Sequence, residues 1–178
     1  AAGAWFAGIF SGGQLRLQLT TVRLLVVVAS IPYLMVVLAL NDWFAAPWVP
    51  LGEGLATLQP EMLLPFYFHY FTSEARAVAS LIANFVMYMP IGLGYWLFSQ
   101  SGRGQPAKGW VPVAIAALFA LVVEGGKILV SGKHPDPTNI IIAVLAAAIT
   151  YRLALWVQLQ TGISFLAPGG YGHEDPAA

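Results

Sequence analysis

The stretch Val123–Asn139 reads VEGGKILVSGKHPDPTN, and both the fold and the chemistry of the chain turn on it. It leaves one apolar run and enters another. Between them it holds Glu124, Lys127, Lys133, His134, Asp136, Thr138 and Asn139. The run before it, Trp110–Val130, and the run after it, Ile140–Leu159, are each long enough to cross a bilayer, which takes about 20 apolar residues. The stretch is therefore a polar hinge between two membrane spans.

Working outward, two more runs of that kind precede it. Val22–Leu40 carries Pro32 in mid-span, and Val78–Phe98 carries Asn84 and Pro90. Prolines break soluble helices, but neighbouring helices in a membrane bundle can satisfy the freed carbonyls. Composition agrees: of 178 residues, 58% are hydrophobic and 9% charged, against roughly 25% charged in soluble domains. Mean hydropathy is +0.74. The expected fold is all-α, a polytopic membrane protein with about four transmembrane helices, an interfacial N-terminal segment and an aromatic outer loop.

Three parts follow: an interfacial segment over residues 1–21, a four-helix membrane domain over 22–160 and a flexible Gly/Pro-rich tail over 161–178. The N-terminal piece is apolar but broken by Gly8, Gly12, Gly13, Gln14 and Arg16, too polar to span. Ala1 in first position fits a chain that has lost a methionine or a longer leader. The loop Asn41–Ala77 is long. Its segment Met62–Phe71 is apolar and aromatic but half a span in length, which suits the headgroup layer or a dip into it.

Orientation follows from the basic residues. Four spans put both termini and the loop Ser99–Gly109 on one side, with Arg16, Arg23, Arg103 and Lys108, and Arg152 close by. The other side has Arg76 and Lys133 among Asp42, Glu53, Glu61, Glu74 and Asp136. The termini are therefore expected in the cytoplasm and the hinge outside.

Depth then singles out residues. Glu124 lies about six residues, roughly 9 Å, below the outer end of its span. Asn84 lies about as deep in the neighbouring span. Lys127 follows Glu124 by three residues, on the same helix face and in the favourable acid-first order. Intramembrane charges pair with one another or face a cavity. Gly125 and Gly126 thin the helix between the pair and let a neighbouring helix or a lipid headgroup come close. Two readings stand. In one, Glu124, Lys127 and Asn84 neutralise each other and fix helix register. In the other, the cluster grips or transforms a polar group from the outer leaflet.

Asp136-Pro137 reads as a helix start, with Asp136 capping free N–H groups and Pro137 at the first helical position. The same helix N-terminus would attract an anion if Lys133 or Lys127 neutralised Asp136. Thr72 or Ser73 reads as the cap of the second span, which brings Arg76 to its outer mouth. The ligand-binding candidates are Arg76, Asn84, Glu124, Lys127, Lys133, Asp136 and Asn139.

Other chemistries are poorly supplied. No cysteine is present, so disulfides, thiol catalysis and thiolate metal sites are excluded. His69, His134, Glu124 and Asp136 have no metal-ligand spacing; His69, inside FYFHYF, suits an aromatic belt. Ser73, Ser80 and Ser131 lack a nucleophile-elbow context. No P-loop, dinucleotide fingerprint or haem motif occurs. No catalytic residue, metal or cofactor is expected. Eight basic and eight acidic side chains balance, which gives no pull toward nucleic acid.

Three motifs, NFVMYMPIGLGYWL (Asn84–Leu97), VVEGGK (Val122–Lys127) and GKHPDPTN (Gly132–Asn139), resemble VanZ-like membrane proteins. The likeness is clearest over residues 63–154. The family pattern places an Asn and a Pro-x-Gly in one span, an acid with a polar residue three later, and a Gly-basic-x-x-Asp hinge. Asn84, Pro90, Gly92, Glu124, Lys127, Gly132, Lys133 and Asp136 fill those positions. Lys127 departs from the usual Gln, Thr138 and Asn139 stand where acids are frequent, and Ala143 replaces a frequent Asn. The resemblance implies a cell-envelope protein of a bacterial cytoplasmic membrane. It brings an association with low-level glycopeptide (teicoplanin) resistance and with envelope polysaccharides, and it does not imply catalysis. The expected role is non-enzymatic binding of an outer-leaflet lipid or glycan-linked group, with membrane lipid as partner. The alternatives are an accessory subunit of a larger membrane complex and an intramembrane enzyme with Glu124 as general base.

Overall fold

The computed structural model describes residues 16–100, 108–161 and 164–166. Four helices in it are long and apolar enough to cross a membrane: α1 Leu19–Leu40, α4 Glu74–Ser99, α5 Trp110–Gly126 and α6 Pro137–Thr161. A 3-10 turn, Lys127–Leu129, lengthens α5. The 22 residues of α1 rise about 33 Å, enough for a hydrocarbon core of about 30 Å. Two short helices, α2 Leu51–Ala56 and α3 Tyr67–Tyr70, lie in the loop between α1 and α4.

Three of the spans begin earlier than the apolar runs suggest, and α5 begins where expected, at Trp110. Leu19–Thr21 belong to α1, so the expected interfacial segment is shorter than residues 1–21, and residues 1–15 lie outside the described part. Of the flexible tail expected over 161–178, Thr161 closes α6 and Ser164–Leu166 form a strand, while the rest lies outside the described part, as does Arg103. Three-residue strands β1, Arg16–Gln18, and β2, Ser164–Leu166, pair in parallel. The segments before α1 and after α6 therefore meet at one end, as an even number of spans requires. That end is called the terminal end below, and the opposite one the hinge end.

Small residues decide which helices touch. Ala116 and Ala120 of α5 meet Ala143, Ala146 and Ala147 of α6, and Tyr88 of α4 fills the space beside them. Short side chains let backbones approach closely. At Gly92 of α4 the approach is so tight that any Cβ would collide with the Ala147 carbonyl. At the terminal end, Trp96 donates to Gln158 Oε1 at 2.9 Å, and Gln100 and Gln158 exchange amide bonds at 3.2 Å. The result is a tight α4–α5–α6 bundle.

Helix α1 lies to one side of that bundle and is tied to it at two levels. Tyr33 donates to the Met87 carbonyl at 3.0 Å, in the turn of α4 where Pro90 has no N–H to give. Arg23 donates to the Phe98 and Gln100 carbonyls at 3.0 and 2.9 Å, covering the C-terminal end of α4. The Arg23 bonds serve backbone acceptors that a helix end leaves open, and the Tyr33 bond falls one residue past Val86, whose carbonyl Pro90 leaves without a helical donor.

Candidate functional site

The hinge folds around one carboxylate. Glu124, 2% exposed, is in the last turn of α5. Its Oε1 accepts from Lys127 Nζ at 2.7 Å and from Asn139 Nδ2 at 2.9 Å; its Oε2 accepts from the Asp136 backbone N–H at 2.7 Å. The three donors come from the 3-10 turn, the hinge and the first turn of α6. A buried carboxylate is tolerated when it is paired and hydrogen-bonded, and Glu124 is both. The Lys127 side chain is itself only 12% exposed.

Asp136 performs the cap its position predicts: Oδ1 accepts from the Thr138 N–H at 2.9 Å, with Pro137 first in α6. The Asn139 N–H goes to the Asp136 carbonyl at 3.0 Å. These bonds occupy the helix end that sequence reasoning offered to an anion. Neither lysine neutralises Asp136, because Lys127 pairs with Glu124 and Lys133 pairs with Asp42. That second pair is more than a third exposed on both sides, where solvent screens it.

The loop after α1 clamps the hinge from one flank. Val49 N–H donates to the Leu129 carbonyl at 2.9 Å and Ser131 N–H to the Pro47 carbonyl at 3.0 Å, around an antiparallel bridge of Trp48 with Val130. The Trp43 ring lies in the space where Gly126 has no side chain, and α2 brings Gly54 against the Ile128 carbonyl. The close approach expected of a helix or a headgroup at the glycine pair is made at Gly126 by a loop side chain, Trp43, whereas Gly125 has open space beside it. From the other flank, the Phe66 N–H donates to Thr138 Oγ1 at 2.7 Å, and Phe68 stacks on His134 with ring centroids 6.4 Å apart. The aromatic segment is therefore a strap across the start of α6.

Asp42 and Phe66 are the two non-glycine residues with positive φ among those described, at 60° and 66°. Such backbone carries strain of about 1–3 kcal/mol per residue. Each is held in place by a hinge contact, Asp42 through Lys133 and Phe66 through Thr138.

The candidate residues thus separate into groups. Glu124, Lys127, Asp136 and Asn139 form one network; Lys133 joins Asp42 at its edge. Asn84 donates within α4, to the Ser80 carbonyl at 3.0 Å and, more weakly, to the Ser80 hydroxyl at 3.4 Å, in place of the expected bond to Glu124. Arg76 is exposed in the first turns of α4, with no hydrogen bond or ion pair to a described residue. Ser73 takes the N-cap position of α4 without a side-chain cap bond.

Sequence reasoning missed Tyr88. It is wholly buried and its hydroxyl has no partner. Long helical side chains tilt toward the helix N-terminus, which for α4 is the hinge end, the side on which Glu124 lies. The available signal was a tyrosine four residues after Asn84, amid apolar neighbours. Asn139 Oδ1 and both ring nitrogens of His69 are also buried without a partner. Among the described residues, no three His, Asp or Glu side chains gather as a metal site would require.

Neither protein-family models, nor curated proteins, nor solved structures match this chain.

Proposed function

We propose that this is a non-enzymatic membrane protein of the cell envelope that binds a hydroxyl-bearing group of an outer-leaflet lipid or lipid-linked glycan at the hinge end. The observation that carries the reading is the Tyr88 hydroxyl, fully buried and without a partner among the described residues. A buried polar group left unmade costs about 1–3 kcal/mol. Asn139 Oδ1, an unpartnered acceptor on the Glu124 network, complements the Tyr88 donor. A sugar or glycerol hydroxyl both gives and takes a proton, so it suits such a pair. The saturated carboxylate of Glu124 has a fastening role here, which argues against its acting as a general base. The basic residues flanking the terminal end support an orientation with both termini cytoplasmic and the hinge outward. The VanZ-like motifs around Asn84, Glu124 and Asp136 support an envelope role.

Tyr88→Phe tests this cleanly, because it deletes only the unpartnered oxygen. The variant folds with stability equal to or above the parent. Vesicles containing a diglycosyl diacylglycerol raise the thermal unfolding temperature of the parent above its value in phosphatidylcholine alone, and Tyr88→Phe loses that increment. An identical increment in both proteins, or none in either, rules the binding role out.

A further inference from the structure

A groove separate from the hinge network opens on the side of the bundle where α1 lies. Between α1, α4 and α5 runs a cavity of about 590 Å³, within the size range of ligand sites, bordered by Val26, Ala29, Ile91, Gly94, Ile115 and Phe119 among others. Of its hydroxyls, Ser30 donates to the Val27 carbonyl and Tyr33 to the Met87 carbonyl. The remaining one, Tyr95, lies one turn from Phe98, toward the terminal end. Two of its three hydroxyls are therefore satisfied and most of the wall is hydrocarbon, a surface with little to offer a polar ligand. By position along α1 it occupies the middle and terminal-end half of the span.

The terminal end of the groove is cationic. Arg23 is one turn before Val26, and its guanidinium carbon lies 5.7 Å from the centroid of the Phe98 ring, itself part of the wall. Its bonds to the Phe98 and Gln100 carbonyls use two donors of the five a guanidinium carries. It forms no ion pair with a described residue. The end of α4 that it covers carries only about half a negative charge, so net positive charge remains. Arginine matches phosphate oxygens with its remaining donors.

We propose that this groove binds an anionic phospholipid of the leaflet at the terminal end, with one acyl chain between α1 and α4 and its phosphate on Arg23. The charge at the mouth and the apolar wall select this occupant over a soluble ligand or another helix. The site is independent of the hinge and stands or falls apart from the role proposed for it.

The full chain in phosphatidylcholine vesicles, doped with a diazirine-bearing acyl probe on either a phosphatidylglycerol or a phosphatidylcholine headgroup, tests the assignment. Photolabel from the phosphatidylglycerol probe falls within residues 26–34 and 90–98, several-fold above the phosphatidylcholine probe. Gly94→Leu, at a position where a Cβ meets only ordinary contact with Val26, fills the groove and removes the label, as does Ala29→Leu from the facing helix. Arg23→Gln brings phosphatidylglycerol down to the phosphatidylcholine level. Equal labelling by the two probes on the parent protein, or label spread evenly over the outer faces of the spans, overturns the proposal. These readouts need no variant to fold.

Discussion

Replacing Glu124 by glutamine removes one charge and keeps the shape, which makes it the sharpest probe of the hinge. The glutamine oxygen can still receive Lys127 and Asn139. Its amide nitrogen then faces the Asp136 N–H, donor against donor, where Glu124 Oε2 had accepted at 2.7 Å. Lys127, its side chain 12% exposed, loses its counter-ion at the same time. An unmade buried bond costs about 1–3 kcal/mol, and breaking a buried ion pair by removing one partner costs about 3–5 kcal/mol. These overlap, so the expected loss is about 3–5 kcal/mol in total. Reversible unfolding in mixed micelles titrated with SDS, followed by far-UV circular dichroism, measures it. Lys127→Met alone also destabilises, because it leaves Glu124 charged with two neutral donors. The double variant then costs less than the sum of the singles by about 2 kcal/mol, as groups in one network do. A loss under about 1 kcal/mol for Glu124→Gln, or singles that add within about 0.5 kcal/mol, refutes the view that the carboxylate fastens the hinge.

Other substitutions separate the parts around it. Asp42→Asn breaks the exposed pair with Lys133 while keeping a residue that tolerates positive φ; the same titration shows a change of at most about 1 kcal/mol. Thr138→Val removes the acceptor of the Phe66 N–H and destabilises by about 1–2 kcal/mol. Hydrogen exchange and proteolysis then rise across Leu64–Phe71, while the amides within α6 keep their protection.

What could be read from the chain was whatever is local. Four apolar runs give four helices, because length and hydropathy are properties of consecutive residues. Asp136-Pro137 gives a capped helix start, and Glu124 with Lys127 gives a pair, for the same reason. Asn84 shows where that reasoning ends. Depth in the bilayer is one coordinate of a helical residue, and the rotation of its helix is another, fixed only by packing. Asn84, placed at the depth of Glu124 by counting residues, bonds Ser80 instead, whereas Tyr88, one turn further along α4, is the wholly buried polar residue of that helix. The partners of Lys133, Gly126 and Thr138 come from Asp42, Trp43 and Phe66, more than 70 positions away, and no period or motif announces them. Orphaned atoms such as the Tyr88 hydroxyl are visible only once every neighbour has been placed.

The Glu124 network has a bearing on how the protein is made. All of its members lie between residues 124 and 139, inside the single hairpin formed by α5, the hinge and α6. The carboxylate therefore finds its three donors without help from α1 or α4. As that hairpin leaves the insertion machinery, its buried carboxylate and the donors that bind it are already turned inward on one another. It can partition into lipid as a finished unit, and the earlier spans have only to gather around it.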